Sequence, residues 1–251
     1  MMTGVRTDGE LRRRGDATVL ASFGAYAAGG RGRVLRLPGV AVAVFPHGFE
    51  REVYNNAVLE PGAGTDALDA MEASYAAAGI GHYAAWIRET DDRLRAELER
   101  RGYVLDTTTL AMGRWLADVP PPAGAAEPVS WADYLASDGL PPDFLRDADH
   151  AALHPLGIRV DGAIVTAALA YDHGGDCGVF NVGTAEPFRR RGLGTAVTVA
   201  QLRAARARGC TSASLQSTAM GERVYAAAGF RDLGRTLEYV PRGRGTSRAL
   251  P

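Results

Sequence analysis

Phe188-Arg189-Arg190-Arg191-Gly192-Leu193-Gly194-Thr195 is the stretch on which the reading of this chain turns, because it follows a strand-like segment and opens a strongly helical one. Glycines at 192 and 194 let the backbone approach a ligand and adopt conformations that a side chain forbids. Free N–H groups at a helix start, the positive end of the helix dipole and the neighbouring guanidinium groups all favour an anion. Arg189-x-x-Gly192-x-Gly194 therefore reads as a pyrophosphate cradle.

Other phosphate motifs fit less well. The chain contains no lysine, so a Walker loop with its phosphate lysine is excluded. A dinucleotide fingerprint needs a third glycine just after a first strand, whereas this loop is late in the chain and lacks it. The flanks are ordered too. Upstream, Cys177 to Thr184 reads as a strand that Glu186-Pro187 stops. Downstream, Leu193, Val197, Ala200, Ala204 and Ala207 recur at helical spacing up to Gly209, and a short strand follows from Thr211 to Gln216. Then comes Met220-Gly-Glu-Arg-Val-Tyr225-Ala-Ala-Ala-Gly229-Phe230.

The loop and the Tyr-x-x-x-Gly-Phe block, in this order, resemble the acetyl-CoA loop and second signature of the GCN5-related N-acetyltransferase (GNAT) superfamily. The resemblance covers residues 129–240. It implies an α/β (α+β) fold, a mixed, mostly antiparallel sheet flanked by helices, and acetyl transfer from acetyl-CoA to the amine of a small molecule or peptide. It implies that the coenzyme is held by Val182, Gly183 and Thr184 along its pantetheine arm, and by Arg189, Arg190, Arg191, Gly192, Leu193, Gly194 and Thr195 at its pyrophosphate. A neighbouring peptide N–H would polarise the thioester oxygen. Tyr225 stands where the family places the general acid that protonates the departing thiolate.

Two departures stand out. Many relatives carry a glutamate base in the strand before the loop, where this chain has Phe180 and Asn181; Glu222, Asp172, His173 or a relayed water are the alternatives. Ser217-Thr218 replaces an asparagine common before the second signature. The missing carboxylate also leaves open a non-catalytic acyl-CoA-binding or regulatory protein.

Composition sets the bounds. The formal net charge is -1, with no basic stripe that would point to nucleic acid or an anionic membrane. Cys177 and Cys210 are too few and too far apart for a disulfide framework, and the five histidines have no thiolate companions, so no metal is expected. Arg12-Arg13-Arg14 before Ala17–Ala28 invites comparison with a twin-arginine export signal, but Asp16 interrupts it and large apolar residues are few. A cytoplasmic protein is expected.

The first half carries a hidden repeat. Asn56-Ala-Val-Leu-Glu-Pro61 parallels Asn181 to Pro187, and Gly64-Thr65 opens a helix as Gly194-Thr195 does, with Thr65 a candidate N-cap. Those helices end at Gly79 and Gly209, a strand follows each, and second helices close at Gly102-Tyr103 and Gly229-Phe230. No arginine stands between Pro61 and Gly64, where the second copy inserts Phe188 to Leu193. Two tandem GNAT-like domains are therefore expected: a degenerate copy over 1–117 without the phosphate loop, a proline-rich linker over 118–128, a catalytic copy over 129–240 and a tail over 241–251. The first copy could wall the acceptor pocket through Tyr54, Asn55 or Trp86, joined by Asn181 and Glu222 from the second; Tyr54, Asn55 and Trp86 could equally be core or surface residues. A monomer acting as a pseudo-dimer, or a homodimer, would follow.

Overall fold

The computed structural model describes residues 6–45, 55–121, 124–140 and 142–242. The helices are α1 (Asp8–Gly29), α2 (Thr65–Ala77), α3 (Asp92–Arg100), α4 (Trp131–Ser137), α5 (Leu193–Ala207) and α6 (Glu222–Ala227). The strands are β1 (Arg33–Leu37), β2 (Val40–Val44), β3 (Asn56–Leu59), β4 (Ala84–Arg88), β5 (Tyr103–Trp115), β6 (Glu127–Pro128), β7 (Leu156–Val160), β8 (Ala163–His173), β9 (Asp176–Thr184), β10 (Ser212–Ser217) and β11 (Arg231–Pro241).

The chain divides into two compact units that are not contiguous in sequence. One comprises residues 1–21, 110–144 and 149–233; the other comprises 22–109, 145–148 and 234–251. These borders differ from the expected division at a proline-rich linker, because the chain changes unit within α1, β5 and β11. Of the expected linker, Glu127-Pro128 forms β6 and pairs with Gly157 and Leu156.

In the second unit the strands run β1-β2-β3-β4-β11. Alternating apolar residues of β2, β3 and β4 meet Leu68, Met71 and Tyr75 of α2 and Leu94 and Leu98 of α3, which are spaced as a helical face requires. Tyr75 stacks on Tyr83 at 4.0 Å and donates its hydroxyl to the Ala43 carbonyl at 3.1 Å, so its polar end is satisfied in the core. Gly64, not Thr65, is the N-cap of α2, and no side chain caps this helix. β4 pairs antiparallel with Thr236–Tyr239 of β11, so the last strand of the sequence completes this sheet.

That pairing sets Glu238 beside Trp86, its register partner. Burial, reinforced by the nearby Asp106, outweighs the Thr109 hydroxyl contact and pushes the Glu238 carboxyl up to about 7. An unfolded glutamate ionises near about 4.3, so this group favours the folded state fully below that pH and loses the contribution as pH rises towards 7. Glu238→Gln is expected to raise stability at pH 8 by on the order of 2 kcal/mol relative to its effect at pH 4.5. Denaturant unfolding at the two pH values measures this; an equal effect at both would show that the carboxyl is not held neutral.

In the first unit the strands run β5-β10-β9-β8-β7-β6. The turn between β7 and β8 is Asp161-Gly162 with φ of 51° and 83°, as a two-residue hairpin requires. Leu110 to Trp115 of β5 pair antiparallel with Ser217 to Ser212 of β10. One face is covered by α5, whose Val197, Val199, Leu202 and Ala205 are buried against the sheet. On the other face α1 crosses the start of β9 and β10. There the buried Asp176 carboxylate accepts hydroxyl hydrogen bonds from Thr18 at 2.9 Å, Ser212 at 2.6 Å and Ser214 at 2.6 Å. The arginines of the N-terminal triplet are part of this packing: Arg12 pairs with Asp16 and donates to the Leu233 carbonyl, and Arg14 bonds Glu10 and Thr211. No helix among the described residues is long and apolar enough to cross a membrane.

The order β3-α2-β4-α3-β5 is repeated as β9-α5-β10-α6-β11. In both runs the first two strands are parallel. Both first helices end before a glycine with positive φ, Gly79 at 68° and Gly209 at 99°.

Candidate active site

The site starts from an interruption in the sheet. β9 and β10 pair only through Asp176, Cys177 and Gly178 against Ser212, Ala213 and Ser214, so among the described residues no strand flanks the rest of β9 on that side. Near the end of the gap β9 is bulged: the register with β8 shifts between Leu169↔Phe180 and Ala167↔Gly183, and Asn181 takes a left-handed φ of 48°. The Ala185 N–H bonds the Val165 carbonyl of β8 at 2.8 Å. Alternation along an antiparallel strand then turns the peptide groups of Thr184 and Val182 towards the gap.

The loop after β9 leads into the N-terminus of α5. Gly192 caps this helix with φ 78°, and no side chain bonds its first turn, so the N–H groups of Leu193, Gly194 and Thr195 have no intrahelical acceptor. A Cβ on Gly192 would meet no atom within 4 Å, so the space in front of the helix is open. Arg190 also takes a left-handed φ, 62°. The three arginines separate by role. Arg189 Nε donates to the Thr184 carbonyl at 3.1 Å and ties the loop to β9. Arg191 lies over the Phe188 ring at 5.2 Å. Arg190 is exposed and has no partner among the described residues.

Thr184 and Gly194 face one another across this corner, with a Cβ on Gly194 falling 3.8 Å from Thr184 Oγ1 and 3.5 Å from Val224 of α6. That contact brings α6 and Tyr225 beside the same strand. The Tyr225 ring packs with the core under α5, edge-on to Phe230 at 6.1 Å. A Cβ on Gly221 would lie 2.8 Å from that ring, so Gly221 must be glycine for Tyr225 to sit there. Burial pushes the phenol up to about 12, so it stays protonated throughout the neutral range. Its hydroxyl makes no hydrogen bond among the described residues and is not sealed in the core.

The remaining candidates divide. Glu222 stands three residues before Tyr225 on α6, on the same side of the helix. Asn181 donates its side-chain N–H to the Tyr134 hydroxyl of α4 at 3.1 Å. Asp172 and His173 are excluded from the site: they pair with Cys177 and Asp176 at the opposite end of β9. Although burial raises the Asp172 carboxyl, two hydrogen bonds from Arg208 at 2.6 and 2.9 Å hold it below its ordinary value.

Asn55 and Trp86 belong to the other unit. Asn55 is buried and spends its side-chain oxygen on the Phe45 N–H at 2.8 Å, a structural use. Trp86 packs edge-on against Phe23 at 5.8 Å, with a buried indole N–H that has no partner among the described residues. Tyr54 lies outside the described residues. No group of three His, Cys, Asp or Glu among the described residues could hold a metal. Tyr134 and Gly221 were not legible as site residues, since a buried tyrosine and a helix-start glycine carry no distinguishing spacing.

A model of the acetyltransferase (GNAT) domain matches residues 84–226, from β4 to α6. No curated protein matches the chain. Among solved structures, a GCN5-related N-acetyltransferase from Kribbella flavida is similar with a TM-score of 0.70 at 22% identity, over 92% of this chain and 96% of that one. One from Sphaerobacter thermophilus has a TM-score of 0.59 at 19% identity, over 82% and 81%. A tandem GNAT protein from the clavulanic acid biosynthesis pathway has a TM-score of 0.56 at 16% identity, over 93% and 95%. The two GNAT motifs, the gap between β9 and β10 and a family match over more than half of the sequence agree: the chain belongs to the GNAT acetyltransferase family.

Proposed function

We propose that this protein transfers an acetyl group from acetyl-CoA to the amine of a small molecule or peptide, and that residues of the first unit perform the transfer. The observation that carries this is the coincidence, at one corner, of the open edge of β9, the uncapped N-terminus of α5 and a protonated tyrosine with no hydrogen-bond partner among the described residues. The residues fit the donor. Peptide groups of Val182 and Thr184 can pair with the amides of a pantetheine arm. The N–H groups of Leu193 to Thr195, with Gly192 and Arg190, can take a pyrophosphate, while Arg189 and Arg191 shape the loop. Tyr225 supplies the proton for the departing sulfur.

The N-terminal half is read as a copy that has lost donor binding. Its repeated element order supports this. So does its counterpart loop, where the Gly62 N–H is taken by the Asp91 carboxylate at 2.8 Å while the same carboxylate caps α3. The similarity to a tandem GNAT protein agrees with that reading. We also propose a cytoplasmic location and either a monomer acting as a pseudo-dimer or a homodimer.

Gly192→Asp tests the donor site. The new side chain meets open space, so the fold should tolerate it, at the strain of a left-handed φ. Its negative charge would stand where the pyrophosphate binds. Calorimetric titration with coenzyme A is expected to show a loss of affinity of at least about a hundredfold, equivalent to roughly 2.7 kcal/mol. Unchanged affinity would remove the cradle.

A further inference from the structure

At the positions of β9 that match the family's base, Phe180 and Asn181, this chain has no carboxylate, but the tertiary structure brings one beside them from elsewhere. Asp138 follows the last turn of α4, and a Cβ on Gly183 would lie 3.6 Å from its Oδ1. One turn earlier on the same helix, Tyr134 bonds Asn181. Tyr134 and Asp138 are four residues apart, so one side of α4 covers Asn181 to Gly183.

The two faces of β9 are thereby given different chemistry. Val182 packs towards α5, and Thr184 towards Gly194. Gly183, between them, faces the other way, as strand alternation requires. Tyr225 belongs to the α5 and α6 side, Asp138 to the α4 side. Glu222, on α6 with Tyr225, is on the leaving-group side.

We propose that Asp138 is the residue that binds the acceptor amine and takes its proton. The inference rests on the transferase reading above. An amine at neutral pH arrives largely as an ammonium ion, and an exposed carboxylate beside the open segment of β9 recruits it through a charge-assisted hydrogen bond. The bound ammonium first gives one proton to the Asp138 carboxylate, which releases it to solvent; the freed lone pair of the neutral amine then bonds to the thioester carbonyl carbon, and the excess proton of the adduct's nitrogen passes to Asp138. The C–S bond breaks as the adduct collapses, and the sulfur takes the phenolic proton of Tyr225. Solvent then returns Asp138 and Tyr225 to their starting states.

The test compares wild type, Asp138→Asn and Asp138→Glu in full-length protein, following release of free coenzyme with a polyamine, an amino sugar and a short lysine peptide. Asp138→Asn keeps a polar residue at the helix end. It is expected to lower kcat/KM for the amine by about a hundredfold or more, with melting temperature and coenzyme A affinity unchanged. Asp138→Glu should recover activity to within about tenfold of wild type. If the Asn variant fails to fold, Asp138→Ser carries the same expectation. Wild-type turnover matched by a folded Asn or Ser variant would overturn the role of Asp138 and leave the transferase reading standing. A wild type inactive on every amine would overturn the transferase reading and this inference with it.

Discussion

Residues 125–251 expressed alone are expected not to fold, although they contain both GNAT motifs. The fragment would lack β5, whose residues Leu110 to Trp115 pair with the whole of β10. It would lose the Arg114 guanidinium, which hydrogen-bonds the Ala228 carbonyl just after α6 and the Asp118 carbonyl. It would lose α1 as well, leaving Asp176 without its Thr18 partner and exposing β10 at Ser214, where Gly15 now packs closely. A central strand left with only its short pairing to β9 and an under-satisfied buried carboxylate together cost several kcal/mol, comparable with the whole stability of a domain, about 5–15 kcal/mol. Circular dichroism and thermal melting of the fragment decide this. A soluble fragment with a cooperative transition and full activity would show that β5 and α1 are dispensable.

Tyr225→Phe is expected to lower turnover by roughly a hundredfold or more while coenzyme affinity and melting temperature stay nearly constant. The ring packs with Phe230 and against Gly221, and phenylalanine keeps those contacts. What it removes is a hydroxyl that bonds nothing among the described residues, so no structural hydrogen bond of theirs is lost. Tyr225→Ala differs: it would open a cavity beside the core under α5 and destabilise the unit by about 3–5 kcal/mol. Loss of turnover in the folded Phe variant, with chemistry rate-limiting, assigns the proton to the phenol. Near-normal turnover would leave thiolate protonation to water.

The parts of this protein that are local in physics were legible in its sequence. The arginine-glycine loop opens α5 because Gly192 supplies the left-handed conformation the turn needs, and a short-range steric rule is enough to predict it. Gly79 and Gly209 stop α2 and α5 for the same reason. The repeated order of elements was read by laying the two halves of the sequence over one another, with helical spacing as support. Tyr225 was singled out through the family resemblance of its motif; its ring packs with the core under α5, and its proposed role rests on the turnover of Tyr225→Phe.

Tertiary structure decided which side chains meet. Arg189 looked like a phosphate ligand by its neighbours in sequence, yet its guanidinium spans back to the Thr184 carbonyl. Asp172 and His173 looked available as bases, but register puts them at the far end of β9. Asp138 had no distinguishing spacing, and only the packing of α4 on β9 brings its carboxylate to Gly183. The strands show the same limit at larger scale: nothing within β5 or β11 says that β5 pairs with β10 and β11 with β4. A strand's own residues set its faces through a period of two. Its partner is chosen by hydrogen bonds and side-chain contacts with residues a hundred or more positions away, and those interactions exist only once the chain has folded.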